Sequence, residues 1–226
     1  MRSLIKAGLA VLVMSGIART AVAGPLEDGL AAYSRRDYPT ALQLLRPLAD
    51  QGVPQAQSRL GSMYARGQGV EQDDAEAAKW YRKSADGGDL YGLDHLAGMY
   101  LIGGGGLPQD NSASVKLYRE AATRGDADAQ NMLGTLYENG WALPQDYVKA
   151  VWWYRKAADL GDASAKSSLG RMYKNGWGVS QDYVQAYKWY NLGGSADDRD
   201  SVATYMSSTQ IAKAQQLARE WKPNGP

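Results

Sequence analysis

The stretch Leu133–Asp162, LGTLYENGWALPQDYVKAVWWYRKAADLGD, decides how this chain folds. It returns at 169–198 as LGRMYKNGWGVSQDYVQAYKWYNLGGSADD, a shift of 36 residues. Upstream it is matched from Leu60, LGSMYARGQGVEQDDAEAAKWYRKSADGGD, and from Leu96, LAGMYLIGGGGLPQDNSASVKLYREAATRGD. One unit is therefore written four times. A period in this range is the mark of a repeat architecture, in which each copy leans on its neighbours.

Within each copy two helical segments can be read. The first carries small, large and aromatic residues at i, i+4, i+5 and i+8, as in Ala129, Leu133, Gly134 and Tyr137. That spacing places them on one face. A small residue after the Leu lets a partner helix approach; the unit beginning near 90 has Ala97 there instead of Gly. A Gly-containing loop follows (Gly67, Gly103, Gly140, Gly176), as a left-handed helix terminus requires. Asp73, Asp110, Asp146 and Asp182 then stand where an N-cap of the second helix belongs. The second helix carries Trp80-Tyr81, Leu117-Tyr118, Trp153-Tyr154 and Trp189-Tyr190. The run Gly103–Gly106 holds one extra residue and reads as a flexible insertion.

The flanks complete this pattern. Residues 24–53 read as a worn first unit, with Leu30, Tyr33, Tyr38, Ala41, Leu42, Leu45 and Leu48 at helical spacing. Full units follow at 54–89, 90–126, 127–162 and 163–198. Residues 199–226 read as capping helices and a tail: a short helix over Arg199–Met206, an N-cap at Ser207-Ser208 and a helix over Thr209–Trp221. No strand pattern occurs. The expected fold is all-α, a right-handed solenoid of stacked antiparallel helix pairs.

The first residues point to export. Arg2 and Lys6 precede an apolar run, Ala7–Ala18, and Ala21-Val22-Ala23 offers a cleavage site before Gly24. This is a signal-peptide pattern, too short for a comfortable bilayer span. The expected location is thus periplasmic or secreted, with no membrane insertion after cleavage. The mature chain would lose three of 25 basic residues and none of 24 acids, leaving a net charge near −2. A chain of that balance lacks the basic stripe of a nucleic-acid binder. Cys is absent, which removes disulfides and thiolate chemistry.

The units resemble the Sel-one-like repeats, relatives of the tetratricopeptide repeats. The resemblance rests on A-x-x-x-L-G-x-x-Y, then G-x-G-V-x-x-D, then A-x-x-W-Y-x-K-A-A-x-x-G. Ala56, Leu60, Gly61, Tyr64, Gly67, Gly69, Val70, Asp73, Ala77, Trp80, Tyr81, Lys83 and Ala85 supply nearly all of it. It covers residues 54–198 and implies a scaffold for protein–protein contacts without chemistry of its own. Some secreted members are clipped by one disulfide per repeat; the absence of Cys sets this chain apart from them.

No catalytic constellation, metal site or cofactor motif is expected. His95 is the only histidine, and its repeat equivalents are Arg59, Met132 and Ser168, so a structural or surface role is expected. A base needs a nucleophile and an orienting group, and neither is apparent. The four repeat Asp residues lie one helix pair apart, too far to share an ion. Trp141 and Trp177, in loops, read as rings folded onto a neighbouring unit, with a ligand-facing role as the alternative.

In tetratricopeptide-like stacks the first helices line the concave face. That register selects Gln55, Ser58, Ser62 and Arg66; Tyr91, Asp94, Leu101 and Ile102; Asp128, Asn131, Thr135, Glu138 and Asn139; and Ser164, Ser167, Arg171, Lys174 and Asn175. Among them Tyr91, Leu101 and Ile102 are read as an apolar seat, and Asn131, Asn139 and Asn175 as backbone-pairing groups. The expected function is a non-catalytic, exported scaffold or adaptor that binds a protein or peptide there. An envelope-assembly or regulatory subunit acting on a membrane protein is the alternative, with a hydrolase ranked below it. Neither the partner nor the oligomeric state is encoded in any motif.

Overall fold

A computed structural model describes residues 24–223. Residues 1–23, where a signal peptide is expected, lie outside these described residues. Among them, twelve helices and no strand are present. In order they are α1 (Pro25–Ser34), α2 (Tyr38–Asp50), α3 (Pro54–Arg66), α4 (Asp74–Asp86), α5 (Leu90–Ile102) and α6 (Asn111–Thr123). There follow α7 (Ala127–Asn139), α8 (Tyr147–Asp159), α9 (Ala163–Asn175), α10 (Tyr183–Gly193), α11 (Ala196–Ala203) and α12 (Ser208–Glu220). Helices α1 to α10 form five consecutive pairs. Each second helix packs on its own first helix and on the first helix of the next pair, giving an all-α helical-repeat solenoid.

The repeated sequence positions explain the pairing. Leu60, Leu133 and Leu169 are fully buried. A methyl added at Gly61, Gly134 or Gly170 would meet the Tyr81, Tyr154 or Tyr190 ring at 2.9, 2.6 and 2.6 Å. The glycine of Leu-Gly-x-x-Tyr therefore lets the second-helix tyrosine lie flat on the first helix. Loop glycines Gly67, Gly103, Gly140 and Gly176 end the first helices at φ of 61, 75, 70 and 71°. Asp73, Asp110, Asp146 and Asp182 cap the second helices, each side chain accepting a first-turn backbone N–H.

A second set of aspartates does the same for the first helices. Asp89, Asp126 and Asp162 accept from the amides of Gly92, Ala129 and Ala165. Between units, an arginine of the second helix in each of the first four pairs reaches the tyrosine of the next unit; Arg82, Arg119 and Arg155 directly follow the Tyr81, Tyr118 and Tyr154 steps. Arg46 donates to the Tyr64 hydroxyl (3.0 Å), Arg82 to Tyr100 (2.5 Å), Arg119 to Tyr137 (3.2 Å) and Arg155 to Tyr173. Gln57 and Gln130 add bonds from their amides to the Ala49 and Ala122 carbonyls of the preceding helix.

Two expectations are corrected. The glycine run is not a free insertion: Gly105, at φ 64°, sits so close to α4 that a Cβ would lie 2.4 Å from the Asp74 carbonyl oxygen. Gly69 and Gly178 occupy the same place against Tyr38 and Tyr147, so the loop is a packed element of every unit. The short C-terminal helix begins three residues earlier than expected, at Ala196, because the chain turns at Gly194 (φ 77°) and restarts at once. Ser207 then forms a capping box with Gln210 and opens α12, which lies across α10 and buries Ala214 and Ala218. Trp221, just past the helix, meets Trp189 edge to face at 5.6 Å.

Candidate functional site

The geometry of the stack defines an inner face. Beyond neighbours in sequence, the first helices touch one another directly, α1 with α3 and α3 with α5. Farther along, α7 and α9 are joined by side chains, Arg171 reaching Glu138.

At its N-terminal end a hydrogen-bond chain crosses three helices. The Tyr33 hydroxyl donates to the Gln68 amide oxygen (3.0 Å). That hydroxyl has one proton, so Ser62 donates to Tyr33 (3.0 Å) and Tyr91 donates to Ser62 (3.4 Å). Arg59 lies over the Tyr91 ring at 4.4 Å and over Tyr33 at 5.5 Å. Tyr91 also stacks on His95, with centroids 3.9 Å apart, and Tyr81 lies 4.9 Å from the same imidazole.

His95 is thus held by packing. Its Nδ1–H donates to the Tyr91 carbonyl (3.1 Å), since that oxygen can only accept. Burial lowers its pKa, and the guanidiniums of Arg66 and Arg59 lower it further against that hydrogen bond. Asp94, 3.5 Å from Nδ1, moves the other way. Burial, then the charges of Asp126 and Asp128, push its carboxyl up to about 7. Among the described residues no group of three or more His, Asp or Glu side chains is arranged to hold a metal ion.

Further along, Glu138 is buried, with Arg171 held against it through Nε (3.0 Å) and Nη2 (2.8 Å). The Tyr154 hydroxyl donates to the same carboxylate at 2.6 Å, and Thr135 lies 3.3 Å from that hydroxyl. A buried acid needs such compensation, because breaking either bond would strand a charge. Of the positions selected from sequence, Glu138, Arg171 and Thr135 are thereby brought together, but they satisfy one another. Asn131 is partly buried, with its amide oxygen lacking a protein partner. Asn139 and Asn175 are exposed at the helix ends, and Lys174 is half-buried. Ser58 and Ser62 are buried.

Leu101 and Ile102 are not joined by Tyr91. They line an edge cavity of about 460 Å³ with Trp141, whose ring is 60% exposed. Trp177 stacks on Tyr147 of the preceding unit at 5.4 Å, as a packing aromatic does. The two loop tryptophans therefore differ: one is folded down and the other stands free. The Arg–Tyr ladder is missed from sequence, since an arginine on an exposed helix face reads as a surface charge; the available signal was the constant spacing of 18 residues between each arginine and its tyrosine.

Paired helices that share one core along the chain define a helical-repeat protein. Consistent with this, the Sel1 repeat model matches residues 18–53, 54–89, 91–126, 127–162 and 163–198, and the chain belongs to that family. Proteins of the family are typically protein-interaction scaffolds and generally non-catalytic. Among solved structures, a Sel1 repeat protein from Oxalobacter formigenes is 31% identical, with a TM-score of 0.72 over 86% of this chain and 83% of that one. A protective antigen of uropathogenic Escherichia coli with the same repeat fold is 27% identical (TM-score 0.53), covering 87% of this chain but 52% of its own. An immunity protein from Pseudomonas aeruginosa, 18% identical, shares the fold (TM-score 0.56; 85% and 81% covered). No curated protein matches the sequence.

Proposed function

We propose that this chain is an exported, non-catalytic scaffold that holds a protein or peptide partner on the inner face of its solenoid. The observation that carries this reading is the contrast between faces. The buried positions are rewritten in each unit, whereas inner-face positions change: Arg66, Ile102, Asn139 and Asn175 share one register and all are exposed. The shared core does not fix their identity, which leaves them free to serve recognition. Export rests on the N-terminal pattern and its cleavage site after Ala23. The partner-facing set comprises Tyr91, Asp94, Leu101, Ile102, Asn131, Asn139, Lys174 and Asn175, with Glu138, Arg171 and Thr135 bracing it from beneath.

The test uses the mature chain as bait in envelope extract, against a variant carrying Asn139→Ala, Lys174→Ala and Asn175→Ala. A control carries Lys116→Ala on exposed α6. The expected outcome is a partner retained by wild type and control and lost by the inner-face variant; equal recovery by all three contradicts the reading. Enrichment of an integral membrane protein would favour the envelope-assembly alternative. N-terminal sequencing of the exported protein should begin at Gly24, and a retained Met1 would refute export by cleavage.

A further inference from the structure

A separate cavity of about 540 Å³ opens at the N-terminal end of the inner face, between α1, the α1–α2 turn and α3. Its wall includes Arg36, Arg59, Arg66, Tyr33, Tyr38 and Gln68 and contains no acidic residue. Some cations elsewhere have a carboxylate beside them, among them Arg46 with Asp50, Arg124 with Glu120 and Arg171 with Glu138; what sets this wall apart is that three guanidiniums converge on one cavity. Among the described residues, none of the three wall guanidiniums has a carboxylate within salt-bridge distance. Three like charges around one cavity repel one another unless an anion enters.

Two further features sharpen this. Arg59 is pinned by the rings of Tyr33 and Tyr91, which fixes its planar fork in advance of any ligand. Arg36 occupies a left-handed backbone position, φ 64°, which a glycine would hold without strain. Beyond His95 the sign reverses, with Asp94, Asp126 and Asp128 grouped together. The inner face is thus cationic over α1 and α3 and carries acids over α5 and the start of α7.

We propose that this cavity receives the side-chain carboxylates of an acidic peptide segment of the partner, and that it sets the direction in which the partner lies along the stack. The proposal rests on the inner-face reading above. Guanidiniums recognise carboxylates bidentately. A cavity of this size suits a ligand of several groups and exceeds what one inorganic ion would fill.

The test measures binding of a fluorescein-labelled peptide ending in four glutamates to the full mature chain, beside a glutamine-matched peptide and inorganic phosphate as competitor. Wild type should bind the glutamate peptide at least ~10-fold more tightly than the glutamine peptide and lose that margin as salt rises. Arg59→Gln with Arg66→Gln should remove the margin. Arg36→Gly should weaken glutamate binding several-fold while raising the melting temperature, a pairing of effects that loss of structure cannot produce. If the double variant fails to fold, Arg36→Gly decides alone. Equal affinity for both peptides, undiminished binding by these variants, or full displacement by phosphate at the peptide's own concentration would overturn the proposal. Failure here leaves the reading through Asn139, Lys174 and Asn175 standing, because the extract experiment does not involve the three arginines.

Discussion

At the scale of single residues, packing and burial decide what each side chain can do. Gly134 lies under the fully buried Tyr154 ring, so Gly134→Ala forces a ring with no room to retreat. Such overpacking costs about 1–3 kcal/mol, which urea denaturation would register. Leu133→Ala, at a fully buried position, should cost about 2–5 kcal/mol by leaving a cavity. Asp94 yields a pH signature. Its carboxyl titrates near 7 in the folded chain, well above the ordinary carboxylate value of about 4 in an unfolded one. The native state therefore holds the proton more tightly, and stability contributed by protonated Asp94 is lost as pH rises from about 4 through 7. His95, whose pKa is lowered, acts oppositely by penalising acidification, and it is common to both proteins in the comparison. Asp94→Asn should match wild type at pH 4 and exceed it at pH 8 by about 1–3 kcal/mol, allowing for its partial exposure. A variant less stable than wild type at pH 8 would contradict the burial described.

At the scale of the element, the three units from 90 to 198 are each built from a glycine-ended first helix and two aspartate caps, and the unit at 54–89 from the same loop and one cap. The loop makes a prediction of its own. Ala142 stands where Gly69, Gly105 and Gly178 stand in other units and has φ 58°. An L-residue there carries about 1–2 kcal/mol of strain, partly offset by the extra freedom glycine gains on unfolding. Ala142→Gly should therefore stabilise the protein by up to about 1 kcal/mol, seen as a higher urea midpoint with unchanged slope. The second-helix caps were legible in the sequence, because an Asp ahead of an apolar helical run has few other readings. The loop's tight seat on the preceding helix was not, since it depends on backbone atoms that no side-chain pattern reports. Glu138 was misleading for a related reason: an acid on a polar face reads as solvent-facing. Its burial follows from Arg171 one unit on and Tyr154 on the paired helix, a relation that exists only after stacking. The cationic cavity likewise gathers Arg36, Arg59 and Arg66 from two units.

At the scale of the molecule, a stack of this kind is quasi-one-dimensional. Stability is approximately a sum of units and of the junctions between neighbours. The four junctions between pairs are chemically alike: in each a second-helix arginine donates to the next unit's tyrosine. The period made that architecture readable from the start. What distinguishes one surface from another lies in the positions that do not repeat, and there the sequence could indicate a face but not its pockets. The likeness of the junctions leads to the most direct test of the whole account, removal of residues 127–162. Asp126 would then cap α9 as Asp162 does, and Arg119 would meet Tyr173 in place of Tyr137. Circular dichroism of this deletion should show a helical protein that melts cooperatively, at a lower temperature than the full chain for want of one junction. Loss of the helical signal would mean that the copies do not share one continuous core, and would contradict the account.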